Sequence, residues 1–75
     1  MNERRRKTLR RVIDILNDAN EIVNSVCEEE QDSLDNMPEN LQDSEKCEAM
    51  SDAIDNLDDA SDSISSAIES ISSAI

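Results

Sequence analysis

Apolar residues recur at alternating intervals of three and four along most of this 75-residue chain, on both sides of its single proline, Pro38. Such spacing is typical of the a and d positions of helices that pack along their length. Because proline lacks an N–H and disfavours helical backbone at the residue before it, we expect the helix to break near Pro38. The sequence therefore predicts an all-α fold, a single antiparallel, coiled-coil-like helical hairpin. Helix 1 is expected over about 3–34, the turn over about 35–38 and helix 2 over about 38–73.

We call the expected contact between the two helices the hairpin seam. Its predicted members are Leu9, Val12, Leu16, Ala19, Val23, Val26, Cys47, Met50, Ile54, Leu57 and Ile64. In the second half the pattern is a nearly literal repeat, with alanine at every seventh position from Ala53 to Ala74. This period favours a helix, although the serine-rich composition of the last heptads leaves disorder open.

Folding the chain at Pro38 predicts which seam residues face each other. The expected pairs are Leu16 with Leu57, Ala19 with Ile54, Val23 with Met50, Val26 with Cys47, and Leu9 with Ile64. In this register the start of helix 1 lies beside Asp62 and Glu69.

A lone hairpin leaves apolar residues without partners, outside the seam on helix 1 and near the end of helix 2. A chain below about 80 residues rarely builds a sufficient core unaided, and oligomerisation is one remedy. We therefore expect a homodimer that forms a four-helix bundle, with higher assemblies as an alternative. The expected oligomer contacts are Ile13, Ile15, Ile22, Ile68, Ile71 and Ile75.

Charge is distributed very unevenly along the chain. The net charge is −12, yet the first eleven residues carry six bases and one acid, or +5, which leaves −17 for the rest. The bases form what we call the basic cluster, namely Arg4, Arg5, Arg6, Lys7, Arg10 and Arg11. This cluster either grips nucleic-acid phosphates or is neutralised by the acidic part of the chain, and the absence of glycine and aromatic residues argues against base recognition.

The second half contains a regular series of carboxylates, which we call the acidic row. Its members are Glu45, Glu48, Asp52, Asp55, Asp59 and Asp62. Their spacing of three and four residues places them on one helix face, opposite the hairpin seam, about 5 Å apart. The row is interpreted either as a mimic of nucleic-acid phosphates that binds a basic protein or as a solvated face that keeps the assembly soluble.

The chain lacks the residues that most catalytic and metal sites use. It has no histidine, no Cys-x-x-Cys pair and no glycine-rich phosphate loop. We therefore expect neither enzymatic activity nor a metal or other cofactor. Cys27 and Cys47 flank the turn and are interpreted as reduced, small apolar side chains, with a redox role as the alternative. No apolar run is long enough for a signal peptide or a membrane span, so we expect a cytoplasmic protein with no membrane partner.

Two segments carry a resemblance to a known group of proteins. They are Leu34-Asp-Asn-Met-Pro-Glu-Asn-Leu-Gln-Asp-Ser-Glu-Lys46 and Glu48-Ala-Met-Ser-Asp-Ala-Ile-Asp-Asn-Leu-Asp-Asp-Ala60. The chain resembles, from about Ile13 to Ala60, small acidic helical proteins of unknown function encoded by phages and prophages of Firmicutes. It departs from their pattern at Met37, at Cys47 and in its Ser/Ile-rich end. The resemblance implies an accessory role for a mobile element inside a bacterial host cell.

These observations lead to three hypotheses about function. The first is a non-enzymatic protein that inhibits or sequesters a basic host protein, such as a defence or transcription protein, through the acidic row. The second is a structural, self-assembling coiled-coil module. The third is a DNA-binding regulator that uses the basic cluster, although the acidic remainder makes direct nucleic-acid binding unfavourable.

Overall fold

A computed structural model describes residues 1–41 and 44–75 and confirms the predicted all-α hairpin. Helix α1 spans Glu3–Asp35 and helix α2 spans Glu45–Ala74, with a single 3₁₀ turn at Glu39–Leu41 between them. The two helices pack against each other in a rod that measures 60 × 14 × 12 Å between Cα atoms. The described residues contain no strand.

Short polar side chains fix both ends of α1. The side chain of Asn2 accepts a hydrogen bond from the backbone N–H of Arg5 at 2.9 Å, which satisfies one of the free donors of the first turn. At the other end, the backbone N–H and the side-chain amide of Asn36 both donate to the carbonyl of Asp32, at 3.0 and 2.8 Å. Helix α1 therefore ends before the residues that Pro38 restricts.

The connection between the helices is longer than the sequence predicts. Pro38 starts a 3₁₀ turn that is closed by a 2.8 Å hydrogen bond from the N–H of Leu41 to the carbonyl of Pro38. Helix α2 starts only at Glu45, where the hydroxyl of Ser44 accepts a 3.2 Å hydrogen bond from the N–H of Cys47. The predicted start of helix 2 near residue 38 is therefore wrong, and its residues 42 and 43 lie outside the described residues.

The face of α1 that contacts α2 also differs from the predicted seam. Cys27 contacts the carbonyl of Ile54, and Asn20 bonds to serines of α2, whereas Val26 remains 45% exposed. Like Asn20 and Cys27, the apolar residues Leu9, Ile13, Leu16 and Val23 are half-buried. The contact face of α1 is therefore the stripe Leu9, Ile13, Leu16, Asn20, Val23 and Cys27, which we call the inner stripe. Val12 and Ala19 are half-buried beside it, and the assignment of Val26 to the seam is wrong.

The physical reason lies in the heptad itself. Leu9, Leu16 and Val23 are each seven residues apart, and a helix stripe can join them through residues that stand either three or four positions after each. They therefore belong to two different stripes. The predicted seam follows the stripe through Val12, Ala19 and Val26. The structure uses the one through Ile13, Asn20 and Cys27, in which Asn20 finds hydrogen-bonding partners on α2.

The longer connection shifts the register of the hairpin. Asn20 lies opposite Ser61 and Ser65, and Cys27 lies opposite Ile54 and Asp58. The predicted pairs are therefore displaced by roughly two to three helical turns. All five are wrong: Leu16 with Leu57, Ala19 with Ile54, Val23 with Met50, Val26 with Cys47, and Leu9 with Ile64.

In this register the end of α2 lies against the first half of α1 and does not extend beyond it. Ile64, Ile68, Ile71 and Ile75 are half-buried there, and Ile68 is level with Ile13 to Leu16. Ile54 is the one buried apolar side chain of the described residues, at 8% exposure. The other apolar side chains of the contact, including Cys47, Met50 and Leu57, are half-buried, which is what two helices alone can achieve.

Candidate partner-binding surfaces

The acidic row lies on the outside of α2. All six side chains are exposed, whereas the apolar residues of α2 that pack against α1 are half-buried or, in the case of Ile54, buried. No member forms a salt bridge within residues 1–41 and 44–75. The helix therefore carries a line of unpaired carboxylates about 5 Å apart, and neighbouring charges repel by about 0.2–0.5 kcal/mol per pair.

The basic cluster occupies the first turns of α1, at the open end of the hairpin. Arg6 is half-buried and the other five side chains are exposed. In the described part of the chain its ion pairs are both with Glu3, from Arg10 at 3.0 Å and from Arg6 at 3.9 Å. Arg4, Arg5, Lys7 and Arg11 make no ion pair there.

The expectation that Asp62 and Glu69 neutralise this cluster within one chain is wrong. Because Asn20 faces Ser61 and Ser65, Asp62 is level with the middle of α1 and Glu69 with the residues near Ile13. Arg10 and Arg11 are level instead with the Ser70–Ile75 end of α2, which has no charged side chain, and Arg4 to Lys7 lie beyond that end. The rod is thus positive at its open end and negative towards the turn.

A polar layer crosses the centre of the hairpin. The hydroxyl of Ser61 donates to the side-chain oxygen of Asn20 at 2.7 Å, and the amide of Asn20 donates to the hydroxyl of Ser65 at 3.4 Å. Sequence reasoning missed Asn20, although its position four residues after Leu16 and three before Val23 marks it as a seam residue. A polar residue in such a seam fixes the register of the two helices.

The two cysteines are free and lie in different parts of the hairpin. The thiol of Cys27 donates to the carboxylate of Asp58 at 3.4 Å, several turns of α2 beyond Cys47. Burial and the hydrogen bond to Asp58 raise the pKa of the Cys27 thiol above its ordinary value, with the charges of Asp58 and Glu28 acting in the same direction. A raised pKa disfavours the reactive thiolate.

Two kinds of feature are absent from the described residues. No group of three or more cysteine, aspartate or glutamate side chains is arranged to hold a metal ion in residues 1–41 and 44–75. In the same residues, neither helix combines the length and the apolar composition needed to cross a membrane. The chain matches no family model, no curated protein and no solved structure.

Proposed function

We propose that this chain is a non-enzymatic accessory protein of a phage or prophage that binds a basic protein in the cytoplasm of its bacterial host, and so inhibits or sequesters it. The observation that carries the proposal is the acidic row, whose six exposed carboxylates have no ion-pair partner in the described residues. The resemblance to small acidic phage proteins, from about Ile13 to Ala60, supports the setting.

The physical basis of the proposal is a similarity of charge to a nucleic-acid strand. A DNA strand carries one phosphate charge per 3.4 Å of axis, and the acidic row carries about one carboxylate per 5 Å, or about two thirds of that density. A host protein whose basic groove holds nucleic acid gains from the same counterion release when it binds such a row. Because a rigid helix holds the charges in line, little ordering is required on binding.

The proposal is tested by affinity capture from lysate of a bacterial host, followed by mass spectrometry. The test variant changes Asp52, Asp55 and Asp59 to Asn. The matched control changes Asp14 and Asp18 to Asn and Glu21 to Gln, which alters the net charge equally at exposed positions of α1. We expect a basic protein that the wild type and the control retain, that the row variant loses, and that 0.5 M salt releases. Equal capture by the row variant and the wild type would refute the proposal.

The exposure of apolar residues on α1 favours a second candidate function, a self-assembling module. Ile15 and Ile22 are 57% and 65% exposed, which is unusual for large aliphatic side chains on a helix with a packed face. Under this alternative the row variant assembles as the wild type does and captures the same proteins as the wild type. Sedimentation of the two proteins at equal concentration, together with the capture experiment, distinguishes the functions.

A further inference from the structure

Helix α1 carries a second apolar stripe beside the inner one. We call it the outer stripe; its members are Val12, Ile15, Ala19, Ile22 and Val26, again at intervals of three and four. Ile15, Ile22 and Val26 are exposed, and Val12 and Ala19 are half-buried. The outer stripe is therefore a heptad seam that α2 leaves largely uncovered.

The geometry of a helix allows both stripes to be used at once. Each outer position at 12, 19 and 26 precedes an inner position by one residue, which rotates it by about 100° around the helix axis. A further helix can therefore pack on the outer stripe without disturbing the hairpin. The hairpin has an accessible surface of 5651 Å², against about 4,600 Å² for a compact monomer of 8.4 kDa. The hairpin therefore exposes more surface than a compact monomer of its mass, and part of this surface can be buried in an assembly.

The charges at the two ends of α1 identify the partner. Residues 3–11 hold six bases and one acid, a net +5, and residues 27–35 hold five acids and no base, a net −5. The outer stripe lies between these two segments. A helix with the opposite order of charge is complementary at both ends of α1, and α1 of a second copy has that order when it runs antiparallel.

We propose that the outer stripe is the interface of a homodimer in which the α1 helices of two copies pack antiparallel to each other. The interface is isologous, so each contact occurs twice. This inference is independent of the proposed function, since it uses α1 and leaves the acidic row on α2 free. A parallel arrangement would place the basic cluster against its own copy, which costs free energy.

Charge also selects one register among those that the stripe permits. In antiparallel packing, a positions of one helix meet d positions of the other. If Ile15 is level with Ala19 of the second copy, Val12 is level with Ile22 and Arg5 with Glu29. Each isoleucine of the stripe then faces a smaller residue, and an Arg5–Glu29 pair of opposite charge lies at each end of the stripe. Arg5 and Glu29 are exposed and form no salt bridge in the described part of one chain.

A disulfide-trapping experiment tests this geometry. In a background with Cys27→Ala and Cys47→Ala, Val12→Cys and Ile22→Cys variants are oxidised separately and as an equimolar mixture. The proposal expects a crosslinked dimer in the mixture alone, because identical positions lie about 15 Å apart in this register. Crosslinking of the Val12→Cys variant with itself would overturn it in favour of a parallel pair. Absence of any crosslink in the mixture would overturn the outer-stripe interface altogether.

Sedimentation equilibrium tests the energetic basis independently. We expect Ile22→Gln to weaken dimerisation at least tenfold, whereas Leu41→Gln, an equally polar change at an exposed residue of the 3₁₀ turn, leaves it unchanged. Arg5→Glu is expected to raise the dissociation constant about tenfold, since two ion pairs are replaced by repulsion.

Combining Arg5→Glu with Glu29→Arg restores the affinity to within a few-fold of the wild type. The control Arg10→Glu has the same change of charge on the opposite side of α1. Equal losses with Arg5→Glu and Arg10→Glu, or no recovery in the double variant, would refute the pairing. Circular dichroism of each variant shows whether the helices persist.

Discussion

The hydrogen bonds of Asn20 allow a quantitative test of the hairpin register. The test is a double-mutant cycle with Asn20→Ala, Ser61→Ala and the combined variant. The Asn20–Ser61 bond is short, at 2.7 Å, and both residues are half-buried. A neutral hydrogen bond contributes about 0.5–1.5 kcal/mol net. We therefore expect a coupling free energy of about 1 kcal/mol between the two residues.

The free energy of unfolding is measured by urea denaturation, followed by circular dichroism at 222 nm and at one fixed protein concentration. Asn20→Ala alone is expected to cost about 1–2 kcal/mol, since it also removes the longer bond to Ser65, and to lower the melting temperature by about 4–16 °C. Asn17→Ala, at an exposed site one turn earlier, serves as the control and should change stability by less than about 0.5 kcal/mol. A coupling free energy below about 0.3 kcal/mol would show that the two side chains are not partners, and it would refute the hairpin register inferred from them.

Three further predictions follow from individual contacts. Ile54→Ala should lower the free energy of unfolding by about 2–4 kcal/mol in the same denaturation assay, because Ile54 is the deepest side chain of the contact, whereas Ile54→Val should cost about 1 kcal/mol; equal costs would contradict its packing. Asp58→Asn should lower the pKa of the Cys27 thiol and accelerate its alkylation by iodoacetamide at pH 8.5, with Cys47 as the internal reference; an unchanged rate would refute the contact. Neutralising three members of the acidic row removes the repulsion in four neighbouring pairs of carboxylates, which should raise the free energy of unfolding by about 1–2 kcal/mol at low salt. A loss of stability would mean that the row has partners within the protein. The three changes are Asp52→Asn, Asp55→Asn and Asp59→Asn.

The pKa of the Cys27 thiol also has a consequence for stability. A thiol whose pKa is raised by folding keeps its proton longer in the folded chain than in the unfolded one. As the pH rises through the ordinary thiol pKa, the unfolded chain ionises first, so stability falls. Cys27→Ser should reduce this loss in unfolding measurements between pH 7.5 and 10.

The heptad spacing and the break near Pro38 were together sufficient to predict the two helices and their antiparallel arrangement. They were insufficient for the register, which depends on where α2 starts. Ser44 followed by Glu45 is a recognisable helix start, since a serine side chain caps free N–H groups and an acid favours the first turn. Pro38 suggested an earlier start, but it introduces only the 3₁₀ turn. Weighing Ser44 against Pro38 would have corrected the register and the predicted neighbours of the basic cluster.

The choice between the two stripes of α1 could not be made from hydrophobicity. Val12, Ala19 and Val26 are together more apolar than Ile13, Asn20 and Cys27, yet the structure turns the latter towards α2. Hydrogen bonding explains the outcome. Because Asn20 bonds to two serines there, its partial burial costs little free energy. By contrast, the exposure of the acidic row followed directly from its spacing on the helix face opposite the hairpin seam, so this part of the candidate site was predictable.

The order of charge along α1 is unfavourable for an isolated helix, and that cost supports the antiparallel dimer. Arginines in the first turn and acids in the last turn oppose the helix dipole, at about 0.3–1 kcal/mol each at low ionic strength. Within the described residues of one chain, Glu3 is the acid that pairs with the basic cluster. The first turn of α2, near Asp35, carries Glu45 and Glu48 against a single base, Lys46, which forms no salt bridge in those residues. Antiparallel α1 helices bring each unfavourable end against its opposite in the second copy. It follows that exchanging the charges of the two ends should improve the isolated helix and still permit antiparallel pairing, whereas making both ends alike should abolish dimerisation.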